Sequence, residues 1–173
     1  DAGDRIFVEG RPVRVAGEVA LPRLLTWDAA GRLQVLALDA LEPVPAAWAR
    51  QGLAEHASVL AFLKLAAELR AEGAPRALLD RLRVAALQEA DHARRCFDLA
   101  SRHAGRPLAA GPTPLPARER DAEALRARLI REAYQDGLLG EAGAARHAAE
   151  ARARAACPLA RGVLARIAAD EAD

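Results

Sequence analysis

From residue 45 onward, alanines and leucines recur at alternating steps of three and four, the spacing that lines one face of an α-helix. Pro45 opens a first helix that Gly73 closes, and Pro75 opens a second that Gly105 ends. A third runs from about 119 to 156, with Gly137 and Gly140 as bend points, and Pro158 starts a fourth that the end of the sequence cuts short. Between the second and third, GRPLAAGPTPLPAR (105–118) has no periodicity and reads as a loop. Residues 1–44 follow another pattern. RIFVEGRPVRVAGEVALP and RLQVLALDALEPVP carry β-branched residues, prolines and turn signals, which predict an extended arm with short strands.

Loop lengths give the arrangement. Tight joins within each helix pair make two antiparallel hairpins, and the long 105–118 segment between them suits a crossover running the length of a bundle. The predicted fold is all-α: an extended or short-strand arm over 1–44, then a four-helix bundle domain over 45–173.

Each inward stripe then carries a surprise. The first reads Trp48, Gly52, Glu55, Val59, Phe62; the second Leu78, Leu82, Ala85, Glu89, His92, Cys96, Leu99. The third reads Ile130, Tyr134, Gly137, Glu141, Ala145, Ala148, and the fourth Ala160, Leu164, Ile167, Glu171. One glutamate sits among apolar or small residues on every helix. A carboxylate buried without compensation costs several kcal/mol, and four that converge also repel one another. Two divalent cations would offset four negative charges. Hard oxygen ligands with an imidazole suit iron or manganese, and Glu89 and His92 at i, i+3 share a helical face. A rotation of the first helix by one position would instead turn His56 inward and Glu55 out. The intervals from Glu55 to Glu89 and from Glu141 to Glu171 are similar, which reads as a duplicated hairpin.

Bulk properties exclude other classes. The 173 residues form one ordinary domain, and a net charge of +1 sets up no field to recruit nucleic acid. Lys64 is the single lysine, so the arginine-rich 146–154 stretch reads as a solvated helical face under a compositional bias. No apolar run approaches the length needed to span a bilayer. Cys96 and Cys157 are too few for a disulfide framework and lack metal-type spacing. The compartment stays open between the cytoplasm and export after removal of a signal peptide. No phosphate-binding glycine loop or nucleophilic triad is present.

Glu55 in AEHASV, Glu89 and His92 in QEADH, Glu141 in LLGEAG and Glu171 in ADEAD together resemble the ferritin-like di-metal carboxylate superfamily, which includes bacterioferritins, rubrerythrins and the di-iron oxidases. The likeness covers 45–173. It implies a ferritin-like bundle holding two iron ions, with manganese as the alternative metal. Glu55, Glu89, His92, Glu141 and Glu171 would be the metal ligands, and Asp170 and Tyr134 their outer neighbours, Asp170 as a hydrogen-bond acceptor for His92. The family pattern places a second histidine at the position after Asp173. The implied function is a non-haem oxidoreductase that activates dioxygen or peroxide, with a small organic substrate and a homo-oligomeric state both compatible. The alternative is a metal-storage bundle or a non-catalytic interaction module. No paired CxxC motifs provide a built-in electron relay.

Overall fold

The computed structural model describes residues 11, 13–15, 18–114 and 122–172, with the side chains of 122 and 137–142 outside that description. The chain is mostly helical with short antiparallel strands. A two-residue hairpin pairs β1 (Arg14–Val15) with β2 (Glu18–Val19). Strands β3 (Leu24–Trp27) and β4 (Leu33–Leu36) form a second hairpin, turned at Gly31 with φ of 74°. Asp28 stabilises that turn by accepting from the backbone N–H groups of Ala30 and Arg32, both at 2.9 Å. A 3₁₀ turn, Leu38–Ala40, leads into helix α1 (Pro43–Ala71).

Helix α1 starts with proline in its first turn, where the missing N–H has no helical partner to lose. It packs along its whole length against α2 (Arg76–Ala104), the tight turn between them passing through Gly73 at φ 79°. Gly105, at φ 65°, ends α2 in the left-handed conformation. The N–H groups of Gly105 and Arg106 both turn back to the Ser101 carbonyl, while the Ser101 hydroxyl accepts from Leu108 N at 2.9 Å.

The crossover differs from the predicted loop. Leu108–Ala110 forms β5, antiparallel to β3, so the second sheet has the order β4-β3-β5. Thr26 Oγ1 donates to the Pro107 carbonyl at 2.9 Å and fixes the register at one end of that pairing. Three residues are too short a run for alternation to reveal. The pairing is dictated by Leu24 and Leu108, which are buried together with Ala49, Leu53 and Ala100 of the helices beneath.

The third helix is also not continuous. It comprises α3 (Ala122–Glu132), a π-helical stretch at Ala133–Gly140, and α4 (Glu141–Arg154); α5 (Pro158–Asp170) then packs on α4. A π turn closes i→i+5 hydrogen bonds, so a three-and-four stripe loses its phase across it. Ile130 and Tyr134, placed inward by that stripe, are exposed, and Leu129 and Asp136 take the buried positions. At the start of α2 the face is likewise shifted by one, with Leu79 buried and Leu78 exposed.

Two cores flank the middle of the bundle. One joins Cys96 and Leu99 of α2 to Ala148 of α4 and to Ala160, Val163 and Ile167 of α5, with Trp48 of α1 packed against them. The other seats the second sheet on α1 and α2. Gly52 allows close approach here, since a Cβ at that position would meet the Phe97 ring at 3.1 Å. No helix among the described residues is long and apolar enough to cross a membrane.

Replacing Gly105 with alanine forces an L side chain into the left-handed region at the α2–β5 corner. We expect a loss of about 1–2 kcal/mol in urea denaturation, with an unchanged m-value.

Candidate metal centre

Glu55, Glu89, His92 and Glu171 each offer one ligand atom within 4.8 Å of all the others. Three helices position them: α1 supplies Glu55, α2 supplies Glu89 and His92 one turn apart, and Glu171 follows the last turn of α5 with helical dihedrals and its N–H bonded to the Ile167 carbonyl. Glu55, Glu89 and His92 are 4%, 5% and 1% exposed, too dry for water to solvate the charges.

His92 stands at the middle. Its Nε2 lies 2.9 Å from Asp170 Oδ2, and the same oxygen forms an ion pair with Arg166 Nε at 2.8 Å. With the ring proton on Nε2, toward that carboxylate, the Nδ1 lone pair faces the opposite way. That way lie two carboxylate oxygens, Glu171 Oε1 at 3.8 Å and Glu55 Oε2 at 3.9 Å. Both are too far for hydrogen bonds, and Nδ1 has no hydrogen-bond partner among the described residues. A buried lone pair aimed at two anionic acceptors is unfavourable by itself and favourable around a cation. Opposed donors at about 2.1 Å from one divalent ion are about 4.2 Å apart, close to the observed span. The donor set, three carboxylates and a neutral imidazole, fits a hard or borderline divalent metal. This buried group can hold a metal ion.

Two supporting residues escaped the stripe pattern. Gln51 Nε2 donates to Glu55 Oε1 at 2.6 Å and fixes that carboxylate's rotamer. Arg166 partly neutralises Asp170. Each sits one helical turn before the acid it holds, and that i, i+4 spacing was the available signal.

The other expected residues fall as follows. Asp170 is next to His92, as described. The Tyr134 side chain is 60% exposed, because the π turn rotates it away from the inward stripe. Glu141 begins α4, but its side chain lies outside the described ones. His56 is half-buried beside the inward-facing Glu55, and burial lowers its pKa. His103 is exposed.

The two cysteines mark opposite environments. Cys96, one turn beyond His92, is fully buried; burial, then the charges of Glu55 and Glu89, push its thiol well above the ordinary range. Cys157 is exposed at the start of α5. Its thiol makes no capping hydrogen bond, yet the nearby N–H groups of Ala160 and Leu159 lower its pKa.

Comparison with known proteins returns no match to a family model, a curated protein or a solved structure. The family likeness therefore rests on these residues and their arrangement.

Opposite effects on stability and on metal binding are expected from one substitution. Without metal at neutral pH, Glu89→Gln removes a buried charge and raises the unfolding free energy by about 1 kcal/mol. The same change removes most of the stabilisation that added Mn²⁺ gives the unaltered chain, measured by denaturation with and without the ion. The cysteines supply a second test. Iodoacetamide labels Cys157 faster than a free thiol at pH 7, because a lowered pKa leaves more thiolate, and Cys96 stays unlabelled until the chain unfolds; mass spectrometry over time reads both.

Proposed function

We propose that this chain is a ferritin-like carboxylate protein whose buried cluster binds iron, or iron with manganese, and reacts with dioxygen or peroxide. The observation that carries the reading is the convergence of Glu55, Glu89, His92 and Glu171 around the unpartnered Nδ1 of His92. The two tight hairpins, α1–α2 and α4–α5, with a long connection between them, support the ferritin-like topology. In this reading Glu55, Glu89 and His92 hold one metal, and Glu171 with Glu141 bridges to or holds a second.

Iron bound by Glu55, Glu89, His92 and Glu171 would supply the electrons for reducing dioxygen or peroxide. The chain supplies the conditions for it. Asp170 lies at hydrogen-bond distance from His92 Nε2, so that Nδ1 is the ring nitrogen left to serve as a ligand. Gln51 holds Glu55 through one oxygen and leaves the other directed at the cluster. Cys96 and Ile167, each one turn from a ligand, extend the apolar core up to the site and keep bulk water out. Arg166 reaches solvent from the far side of Asp170 and balances its charge.

Anaerobic loading with Fe²⁺, followed by metal analysis and exposure to air, tests the proposal. We expect about two irons per chain and dioxygen consumption on exposure. His92→Ala abolishes retention, and Asp170→Asn weakens it by about 10- to 100-fold. Because protons compete for the carboxylates and for Nδ1, affinity falls as pH is lowered. Failure of the unaltered chain to retain either iron or manganese defeats the proposal. Retention with one stoichiometric oxidation and no turnover points to storage instead.

A further inference from the structure

Strand β4 closes one side of the three-stranded sheet and has no second neighbour among the described residues. In an antiparallel ladder, residues that exchange backbone bonds with the neighbouring strand alternate with residues whose N–H and C=O point the other way. Asp28 N–H donates to the Arg32 carbonyl at 3.0 Å, so Arg32, Gln34 and Leu36 are the residues bonded toward β3. Leu33 and Val35 therefore turn their N–H and C=O groups out from the sheet edge, where no other backbone bond reaches them among the described residues.

The side chains of the same two residues are open as well, Leu33 at 56% and Val35 at 59% exposure. They stand on the sheet face that looks away from the helices, beside Trp27, which lies directly opposite Leu33 and is 40% exposed. The other face sends Leu24 and Leu36 into the core. Exposed edges are commonly guarded by lysine, proline, a bulge or a covering loop. Leu33–Leu36 reads LQVL, pairs with β3 in unbroken register and carries none of these guards. The adjoining cation, Arg32, is already held by Asp28 of its own turn at 2.9 Å.

We propose that the β4 edge is an interface between two copies of this chain, joined β4 to β4 in antiparallel register about a two-fold axis at Gln34. In that register Leu33 of one copy faces Val35 of the other at both ends, and four backbone hydrogen bonds satisfy every outward group. The edge is thus its own complement, which is why a second copy is the occupant. Charge agrees: Gln34 faces Gln34, Arg32 faces Leu36, and no ionised group stands opposite its like. The result is a six-stranded sheet of order β5-β3-β4-β4-β3-β5, with the exposed leucines and valines side by side across the seam. A four-residue edge covers far less than the roughly 800 Å² per partner of a stable complex, so the dimer is weak and concentration-dependent. No part of this draws on the metal cluster, and it stands or falls without the oxidoreductase reading.

Sedimentation velocity of the whole chain over about 5 to 500 µM, the range of weak association, tests the interface. The average mass is expected to climb toward twice that of one chain. Val35→Pro deletes an outward donor while leaving the bonds to β3 in place, and raises the concentration needed for dimers by roughly tenfold or more. Leu33→Glu combined with Val35→Lys sets opposite charges across both ends of the seam, so association persists and becomes sensitive to salt; Leu33→Lys with Val35→Lys abolishes it. A chain that stays monomeric throughout overturns the proposal, and so does loss of association in the opposite-charge variant. Undiminished dimers of Val35→Pro also overturn it, and point to contact through the Trp27 face. Amide exchange gives a second reading that needs no variant. The Leu33 and Val35 amides exchange freely in dilute chain and become protected in concentrated chain. Protection at every concentration in a monomer assigns the edge to another stretch of the same chain and refutes the dimer.

Discussion

Taking a carboxylate out of water is the constraint to which the bundle answers. Glu55, Glu89 and Glu171 meet across three helices at a place where the surrounding residues are alanine, cysteine, leucine and isoleucine. Desolvation alone is worth several kcal/mol per ion, comparable to the whole net stability of a domain this size. A cation held among such groups would return the interaction that water gave up. The second line of contacts is arranged to the same end: Gln51 steadies one acid, Asp170 orients the imidazole, and Arg166 offsets Asp170 from outside. Apolar groups at those positions would give a steadier empty bundle and no site, the usual opposition between stability and function.

Around that centre, the two hairpins are held by different means. The first is a long, close helical pair in which Gly52 admits the Phe97 ring. The second docks through the small apolar core that reaches from Ala148 to Cys96. Where α3 approaches the far end of α1, the contacts are ionic: Arg126 with Glu72 and Arg128 with Glu68. The Arg126–Glu72 pair is open to solvent on the arginine side and contributes at most about 1 kcal/mol, whereas Arg128–Glu68 is largely shielded.

Much of the site was legible because buried acids break a helical stripe visibly. Glu55, Glu89, His92 and Glu171 each interrupt a run of small or apolar residues, and an acid in that context needs a reason. Asp170 was legible through its adjacency to Glu171. Helix ends were legible to within a few residues, since proline and glycine act through local sterics. Tyr134 and Ile130 were misread because a π turn adds a residue to the helical repeat and nothing in their immediate neighbours announces it. Strand β5 was invisible for another reason: three residues carry no period, and their partner lies in the arm. Gln51 and Arg166 were overlooked because they sit beside the stripes and reach in, and a polar residue at such a flank looks like solvent-facing sequence.

The antiparallel match of Thr26 with Leu108 has a bearing on the order in which the chain assembles. Its two halves are separated by the entire α1–α2 hairpin, so β3 cannot acquire its second neighbour until that hairpin has formed and brought the crossover back alongside it. During synthesis, the β3–β4 ribbon leaves the ribosome early and waits with one edge open, a state in which two-stranded ribbons are only marginally stable in water. Closing the sheet therefore follows the α1–α2 hairpin, and it reports that this helical pair has already formed.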